Sequence, residues 1–238
     1  MRYKFTESKA NYETYEFPYA VNAYFEEDKG DLVKDFLNQG LLPTRTSEKN
    51  RFYMARSVRV NLEEFEASSE NRRILKKTEY FTYESMPIKD FTFDFSVIEF
   101  CKNFFDNRFG KGKMSAQGLR RIFTESWNNT VYIFRDNREG DNKIIGYAAI
   151  YKDGSGIHYA YPFYDLDYFK DSIGARMMLT AIMEAKDANM EYAYLGTLYE
   201  KSALYKTEFK GFEWWNGSEW NKDVHSLKEI IDKNSEII

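Results

Sequence analysis

Two aspartates and two lysines have the types and spacing to do chemistry. Asp165 and Asp167 lie two apart in YPFYDLD, directly after a run of β-formers. On a continuing strand both carboxylates would point to one side, whereas in a turn they need not. As a site they offer a general base or an acidic seat for an amine. As structure they are turn aspartates capping the helical region after them. Lys206 and Lys210 lie four apart in KTEFK. On a helix they would share a face, placed to hold an anion or stabilise an oxyanion. Otherwise they are solvated surface lysines. Tyr161, Tyr194 and Tyr199 are either pocket walls or half-buried strand aromatics. Gly174 opens a helical run and lets its N-terminus approach a ligand or a strand closely. Gly196, inside a strand, implies a bulge or a close backbone approach.

Cations gather in two further places. Arg72, Arg73, Lys76 and Lys77 fall in NRRILKK, with Arg72/Lys76 and Arg73/Lys77 as i,i+4 neighbours. They form either a phosphate-binding face or a solubilising one. Residues 102–121 hold Lys102, Arg108, Lys111, Lys113, Arg120 and Arg121 against Asp106, an excess of 6 − 1 = +5. Phe104, Phe105 and Phe109 interleave there at helical spacing, which assigns them to core rather than to stacking.

Other chemistries find little support. Cys101 falls on the apolar face of its helix and reads as core. His158 and His225 are 67 positions apart, with no GxSxG elbow, so a Ser-His-Asp hydrolase is not expected. Trp214, Trp215 and Trp220 read as packing near the C-terminal strand or, if a pair is exposed, as a partner contact. One cysteine and two histidines argue against a zinc or iron–sulfur site, which leaves only a carboxylate-held magnesium open, so no metal is assigned, and a lone thiol fits a reducing cytoplasm. The N-terminal MRYKFTESKANYETYEF lacks the apolar core of a signal peptide, and no run of 18 apolar residues occurs, so no membrane partner is expected. A net charge of −4 gives no global bias toward nucleic acid, which leaves local patches to decide.

These groups must be positioned by about a dozen elements. A short helix is expected over Asp31–Gln39, with Gly40 as its stop, then a strand over Arg51–Leu62. A helix capped by Ser68 or Ser69 should carry NRRILKK. Helices follow over Phe95–Phe109 and Ser115–Trp127, then strands over Thr130–Arg135, Lys143–Tyr151 and Gly156–Phe163, joined by turns at Asn137, Gly140 and Asp153-Gly154. The longest helix is expected over Ser172–Asn189, strands over Glu191–Tyr199 and Glu208–Trp215, and a terminal helix around Val224, Leu227, Ile230 and Ile231. With 43% hydrophobic and 18% aromatic residues the chain can bury a real core. Pro87 marks the expected division into an N-terminal subdomain, 1–88, and a main domain, 89–238. The fold class is α/β (α+β), a mixed, mainly antiparallel sheet flanked by helices in the order of a GNAT acyltransferase. In that fold acetyl-CoA pyrophosphate sits on a Q/R-x-x-G-x-G/A turn. Here the window is Asp171-Ser-Ile-Gly174-Ala-Arg176, acidic at its first position and bulky at its last, so acetyl-CoA is only the alternative donor.

Five segments in order carry a resemblance. They are Ser57-Val-Arg59-Val-Asn-Leu62, then Ser68 to Lys77, then Tyr161-Pro-Phe-Tyr-Asp165-Leu-Asp167 with Ser172-Ile-Gly174, then Tyr194-Leu-Gly196-Thr-Leu-Tyr199, then Lys206-Thr-Glu-Phe-Lys210. In these the chain resembles the arginyl- and leucyl-tRNA–protein transferases of the N-degron pathway. Family members carry YFFYDPD, SLG, YLGYYI and KMxYK, with VPLRVDV and SxSQRRVLKR upstream. The resemblance implies transfer of an amino acid from charged tRNA to a protein N-terminus, in the cytoplasm and without a cofactor. It implies catalytic roles for Asp165, Tyr161 and Lys206. Substrate contacts would come from Asp167, Gly174, Tyr194, Gly196, Tyr199 and Lys210, and tRNA contacts from Arg72, Arg73, Lys76 and Lys77. Two departures bear on specificity. Met54-Ala-Arg56 stands where a family cysteine pair would be, and no GxxHQ-like segment precedes the sheet. Such chemistry needs a deprotonated amine, a positioned ester and cations for tRNA phosphates. Other readings are an acyl-CoA N-acyltransferase and a non-catalytic tRNA- or peptide-binding relative.

Overall fold

A computed structural model describes residues 1–5, 21–45, 48–138, 140 and 142–235. Most of the N-terminal segment tested for an apolar leader, with Pro18, lies outside the described residues. In chain order the elements are β1 (Arg2–Phe5), β2 (Val21–Tyr24), α1 (Val33–Leu37), β3 (Leu41–Pro43), β4 (Arg51–Met54), β5 (Ser57–Asn61), α2 (Ser69–Lys77) and β6 (Phe81–Pro87). Then come α3 (Phe95–Phe109), α4 (Ala116–Arg120), β7 (Thr130–Asp136), β8 (Lys143–Lys152), β9 (Gly156–Tyr164), α5 (Ile173–Asp187), β10 (Tyr192–Thr197), β11 (Phe212–Trp215), β12 (Trp220–Asn221) and α6 (Val224–Ser235). The local signals explain the helix starts. Ser68 and Asn71 form a reciprocal capping box on α2. The Asp94 carboxylate accepts from the backbone N–H groups of Ser96 and Val97 at the head of α3.

Two sheets form. The smaller has the order β1-β2-β4-β3, and the larger β12-β11-β5-β10-β9-β8-β7-β6. The run expected as one strand over Arg51–Leu62 is two strands broken at Ala55-Arg56, with β4 in the small sheet and β5 in the large one. Phe52, Met54, Val58, Val60 and Leu62 keep one register across the break, with Arg56 as the single departure, so periodicity alone does not give the change of partner. The large sheet takes strands from both sides of residue 88. β5 pairs with β10 and β11, and β6 pairs with β7. The expected helix over Ser115–Trp127 stops being α-helical at Arg120 and continues as a π-turn over Arg121–Glu125.

The alternation along β7 shows how the layers are built. Tyr132 and Phe134 join the core cluster that contains Met177, Met178 and Ile182 of α5. Val131 and Ile133 join the cluster that contains Val97, Cys101 and Phe104 of α3. Successive residues of a strand face opposite sides, so α5 covers one face and α3 with α4 the other. A sheet buried on both faces needs near-continuous apolar strands, as β7 and β8 are. Most pairings are antiparallel, but β9 and β10 run parallel, joined by the α5 crossover. This is the mixed, mainly antiparallel architecture expected. A third cluster joins α1 and the small sheet to Tyr194 of the large one.

Candidate functional site

The parallel pairing of β9 with β10 ends at Tyr194 opposite His158. Beyond it β10 is bulged: its register against β5 shifts between Tyr194 and Thr197, and Gly196 takes φ +78°. A side chain there would meet open space but also a backbone conformation L-residues avoid. Carbonyls past the end of a ladder need another donor. The Lys206 ammonium supplies it, donating to the Leu195 carbonyl at 2.8 Å and the Thr197 carbonyl at 2.9 Å. An ammonium has three N–H donors, so one remains. Burial pushes the Lys206 amine down to about 8.

Above Lys206 lies a pocket of about 330 Å³. Phe104, Arg108 and Phe109 of α3, Pro162 and Tyr164 of β9, and Gly174 and Met178 of α5 line it, with Thr197, Tyr199, Glu200 and Tyr205 at the β10 end. Its walls are largely aromatic, with Lys206, Arg108 and Glu200 as the charges. A Cβ on Gly174 would come within 3.2 Å of the Tyr164 ring, so the glycine lets the start of α5 close on the pocket wall. The Tyr199 hydroxyl accepts from the Arg56 backbone N–H at 3.1 Å, tying the pocket rim to the β4–β5 break.

The sequence candidates divide around this pocket. Lys206, Gly174 and Tyr199 line it, and Gly196 shapes the strand end beneath it. Asp165 and Asp167 line an adjoining pocket of about 260 Å³ with Asn103 and Asn107, sharing the Phe104 and Tyr164 walls. Asp165 also caps a 3-10 turn over Leu166–Asp171, accepting from the Asp167 N–H at 3.0 Å, and pairs with Lys143 at 3.0 Å. Tyr161 does not line the pocket and packs with the α3-side cluster. The cause is a bulge: Ala149 lies opposite Tyr161 but Ile150 opposite Tyr159, so Ala160 is extra and reverses the facing of the residues after it. Tyr194 instead packs against α1 and donates its hydroxyl to Asn38 Oδ1. Lys210 does not share a face with Lys206. The 3-10 turn over Lys201–Glu208 ends before it, and Lys210 forms an exposed ion pair with Glu66 at 2.6 Å.

Sequence reasoning missed Glu200 and Tyr205. Both fall between the two motifs that were read, and their signal is position: they follow the strand end that splays. The basic helix α2 forms as expected, although Arg73 is held by Glu70 in paired 2.6 Å bonds. Lys77 donates to the Lys170 carbonyl and lies 3.9 Å from Asp171, which brings the basic end of α2 to the turn before Gly174. Arg176 does not face an anion. Its guanidinium is turned inward to the Leu75 and Phe81 carbonyls and the Thr78 hydroxyl at 3.3–3.5 Å. The Cys101 thiol is buried and raised far above its ordinary value. The tryptophans pack, with Trp215 against Trp220 at 5.5 Å. Among the described residues no group of three His, Cys, Asp or Glu side chains could hold a metal, and no helix is long and apolar enough to cross a membrane.

His158 sits beneath Lys206 and yields a first prediction. It is buried with no hydrogen-bond partner on Nδ1. Burial, then the Lys206 charge, lower it to about 4. An unfolded histidine titrates near 6.5, so between about 6.5 and 4 the unfolded chain binds a proton that the folded one refuses. Stability is therefore lost as pH falls through that window, by up to about 3 kcal/mol. Melting temperatures measured from pH 7 to 4 should fall less steeply for His158→Asn than for the wild type. Parallel curves would contradict this.

The family model described as "Arginine-tRNA-protein transferase, C terminus" matches residues 96–216. A protein from Ruegeria pomeroyi named aspartate/glutamate leucyltransferase is 26% identical over 172 residues, 69% of this chain and 60% of that protein. One of the same name from Saccharophagus degradans is 26% identical over 168 residues, 68% of this chain and 69% of that protein. The chain thus spans between three fifths and seven tenths of the length of these relatives. Among solved structures, FemX is similar at TM-score 0.45 and 9% identity over 70% of this chain and 59% of that one. L-PGS from Bacillus licheniformis is similar at TM-score 0.40 and 13% identity over 74% and 55%.

Proposed function

The chain belongs to the arginine-tRNA–protein transferase family, and from that premise we propose that it moves an amino acid, of the leucyl type, from charged tRNA to the N-terminal amine of a protein. The observation that carries the proposal is Lys206, an ammonium with one donor to spare, set under an aromatic pocket where two parallel strands part. The amine nitrogen attacks the ester carbonyl carbon, and negative charge develops on the carbonyl oxygen. The third N–H of Lys206 meets that charge, in a partly dry site where such a donor acts strongly. Glu200 takes the proton that the amine sheds. The carbon–oxygen bond to the ribose breaks, and the ribose oxygen is protonated, so one proton passes overall from amine to ribose. The products are a peptide bond and free tRNA, and no cofactor is used.

A leucyl group suits walls made of Phe104, Pro162 and Met178. Asp165 and Asp167 give the adjoining pocket a negative field for the incoming ammonium. We place the reaction in the cytoplasm, where charged tRNA is held. Acetyl-CoA is disfavoured as donor, because residues 171–176 depart from the pyrophosphate-binding turn and Arg176 is committed to carbonyls.

The test is the mass of product peptides. Peptides differing only in their first residue, with leucyl- and arginyl-tRNA offered separately, should gain the mass of one leucine, those beginning with Asp or Glu most readily. Addition of arginine alone would overturn the leucyl assignment. The basic face of α2 supplies a further prediction. Replacing Arg72 and Arg73 by Ala should weaken tRNA binding and lower the slope of log affinity against log salt by about one to two. An unchanged slope would return α2 to ordinary surface.

A further inference from the structure

The pocket mouth carries apolar surface that the reaction does not explain. Phe109 is 55% exposed, Phe169 59% and Tyr205 42%, and they are among the few large apolar side chains so exposed in the described residues. Phe109 and Tyr205 line the Lys206 pocket. Phe169 lies under Arg108, whose guanidinium carbon is 5.9 Å from its ring centroid, and Arg108 lines the same pocket. The helical spacing of Phe104, Phe105 and Phe109 assigned all three to core. Phe104 is core at 6% exposure, while Phe109 only leans on Phe104 and Phe105 at 6.0 and 5.0 Å. After it the chain turns through Gly110 and Gly112, both at positive φ, and presents Lys111 and Lys113 to solvent.

We infer that Phe109, Phe169 and Tyr205, set around Arg108, form a stacking platform for the unpaired 3′ nucleotides of the donor tRNA. This rests on the transferase reading and deepens it. Exposed aromatic faces interleaved with cations suit single-stranded nucleic acid, because bases stack on rings and on guanidinium planes while the cations follow the phosphates. A polypeptide occupant would not need that charge. Position adds to the case, since an amino acid held over Lys206 trails the nucleotide to which it is esterified, and that nucleotide must leave through this mouth. Duplex RNA presents no open base faces, so the platform should sense only the unpaired end.

Two RNAs and two proteins test this. Affinity is measured at one fixed salt concentration for intact tRNA and for tRNA trimmed of its unpaired 3′ nucleotides, using wild type and Phe109→Ala/Phe169→Ala. Both side chains are exposed, so the double variant should melt as wild type does, and Phe169→Ala alone serves if it does not. Trimming should weaken wild-type binding about tenfold, within the range of one or two stacked bases. The double variant should bind intact tRNA about as weakly as wild type binds trimmed tRNA, and trimming should then matter little. Equal losses for both RNAs in the variant would overturn the platform. So would an unchanged tRNA affinity with a raised KM for the acceptor peptide, which would assign the rim to the polypeptide. In either case wild-type transfer from charged tRNA leaves the transferase reading intact, whereas absence of both binding and transfer in wild type sinks the two together.

Discussion

Replacing Lys206 by methionine should lower the transfer rate by about 10²- to 10³-fold, the loss seen when a single preorganised donor to a developing oxyanion is removed. Methionine keeps most of the volume and removes the donors. The Leu195 and Thr197 carbonyls then lose their partner, a stability cost of about 1–3 kcal/mol for each buried group left unsatisfied. Rate and stability must therefore be measured apart. Lys206→Arg restores a charge and donors but not their position, so it should recover stability more than rate. The pH profile separates the roles further. In the wild type the rate should rise as the acceptor amine deprotonates, near 7.7–8.0 for an ordinary α-amine. It should fall again as Lys206 loses its proton through about 8. The methionine variant keeps the rising limb and loses the falling one. In stability the sign is opposite to that of a paired lysine. The folded-state value lies below the unfolded 10.5, so the penalty is present in full below about 8 and is relieved as pH rises toward 10.5. A methionine variant with full activity, or with an intact alkaline limb, would remove Lys206 from the chemistry.

The largest effect on folding is expected at Glu213. Its carboxylate accepts from Arg59 Nε at 2.7 Å, and both side chains are buried. The Arg59 guanidinium lies between the rings of Tyr192, at 3.6 Å, and Trp220, at 4.1 Å, and donates to Asn38 Oδ1 at 3.2 Å. One guanidinium thus ties β5 to β10, β11, β12 and the end of α1. Glu213→Ala leaves that charge buried and unpaired, at a cost of about 3–5 kcal/mol, or a melting temperature lower by roughly 10 °C for a chain of this size. Removing both charges with Arg59→Met and Glu213→Leu should recover much of the loss, because a well-packed apolar pair avoids the desolvation penalty. Single and double variants compared by denaturant melts decide it. Equal losses in Glu213→Ala and in the double variant would mean that packing, not charge, dominates here.

Much of the frame could be read from residue order. Period and caps placed α3 over Phe95–Phe109 and the hairpins of β7, β8 and β9 to within a residue or so of their ends, because each is set locally by its own apolar face and turn. The features that could not be read depend on partners far away in the chain. The Ala55-Arg56 break moves a continuous alternating run from one sheet to another. The extra residue at Ala160 turns Tyr161 away from the face that Tyr159 occupies. Tyr194 looks equivalent to Tyr199 in YLGTLY, but it goes to Asn38 on α1 while Tyr199 reaches the pocket.

The site was partly legible for the same reason. Lys206 and Gly174, singled out by type and motif, both line the pocket. The capping of the next turn by Asp165, its ion pair with Lys143 and the place of Glu200 in the same pocket as Lys206 depend on how separate strands are brought together. Burial is not written in type either: Phe104 and Phe109 are alike in type and opposite in exposure.

The most direct measurement is transfer of label to a peptide with a free N-terminal aspartate or glutamate. Wild type and Lys206→Met would each be incubated with labelled leucyl-tRNA, and in parallel with labelled acetyl-CoA. The predicted result is label in the peptide from leucyl-tRNA with wild type, and at least roughly a hundredfold less with the variant. Label from acetyl-CoA alone, or equal labelling by the two proteins from leucyl-tRNA, would contradict a Lys206-centred aminoacyl transferase.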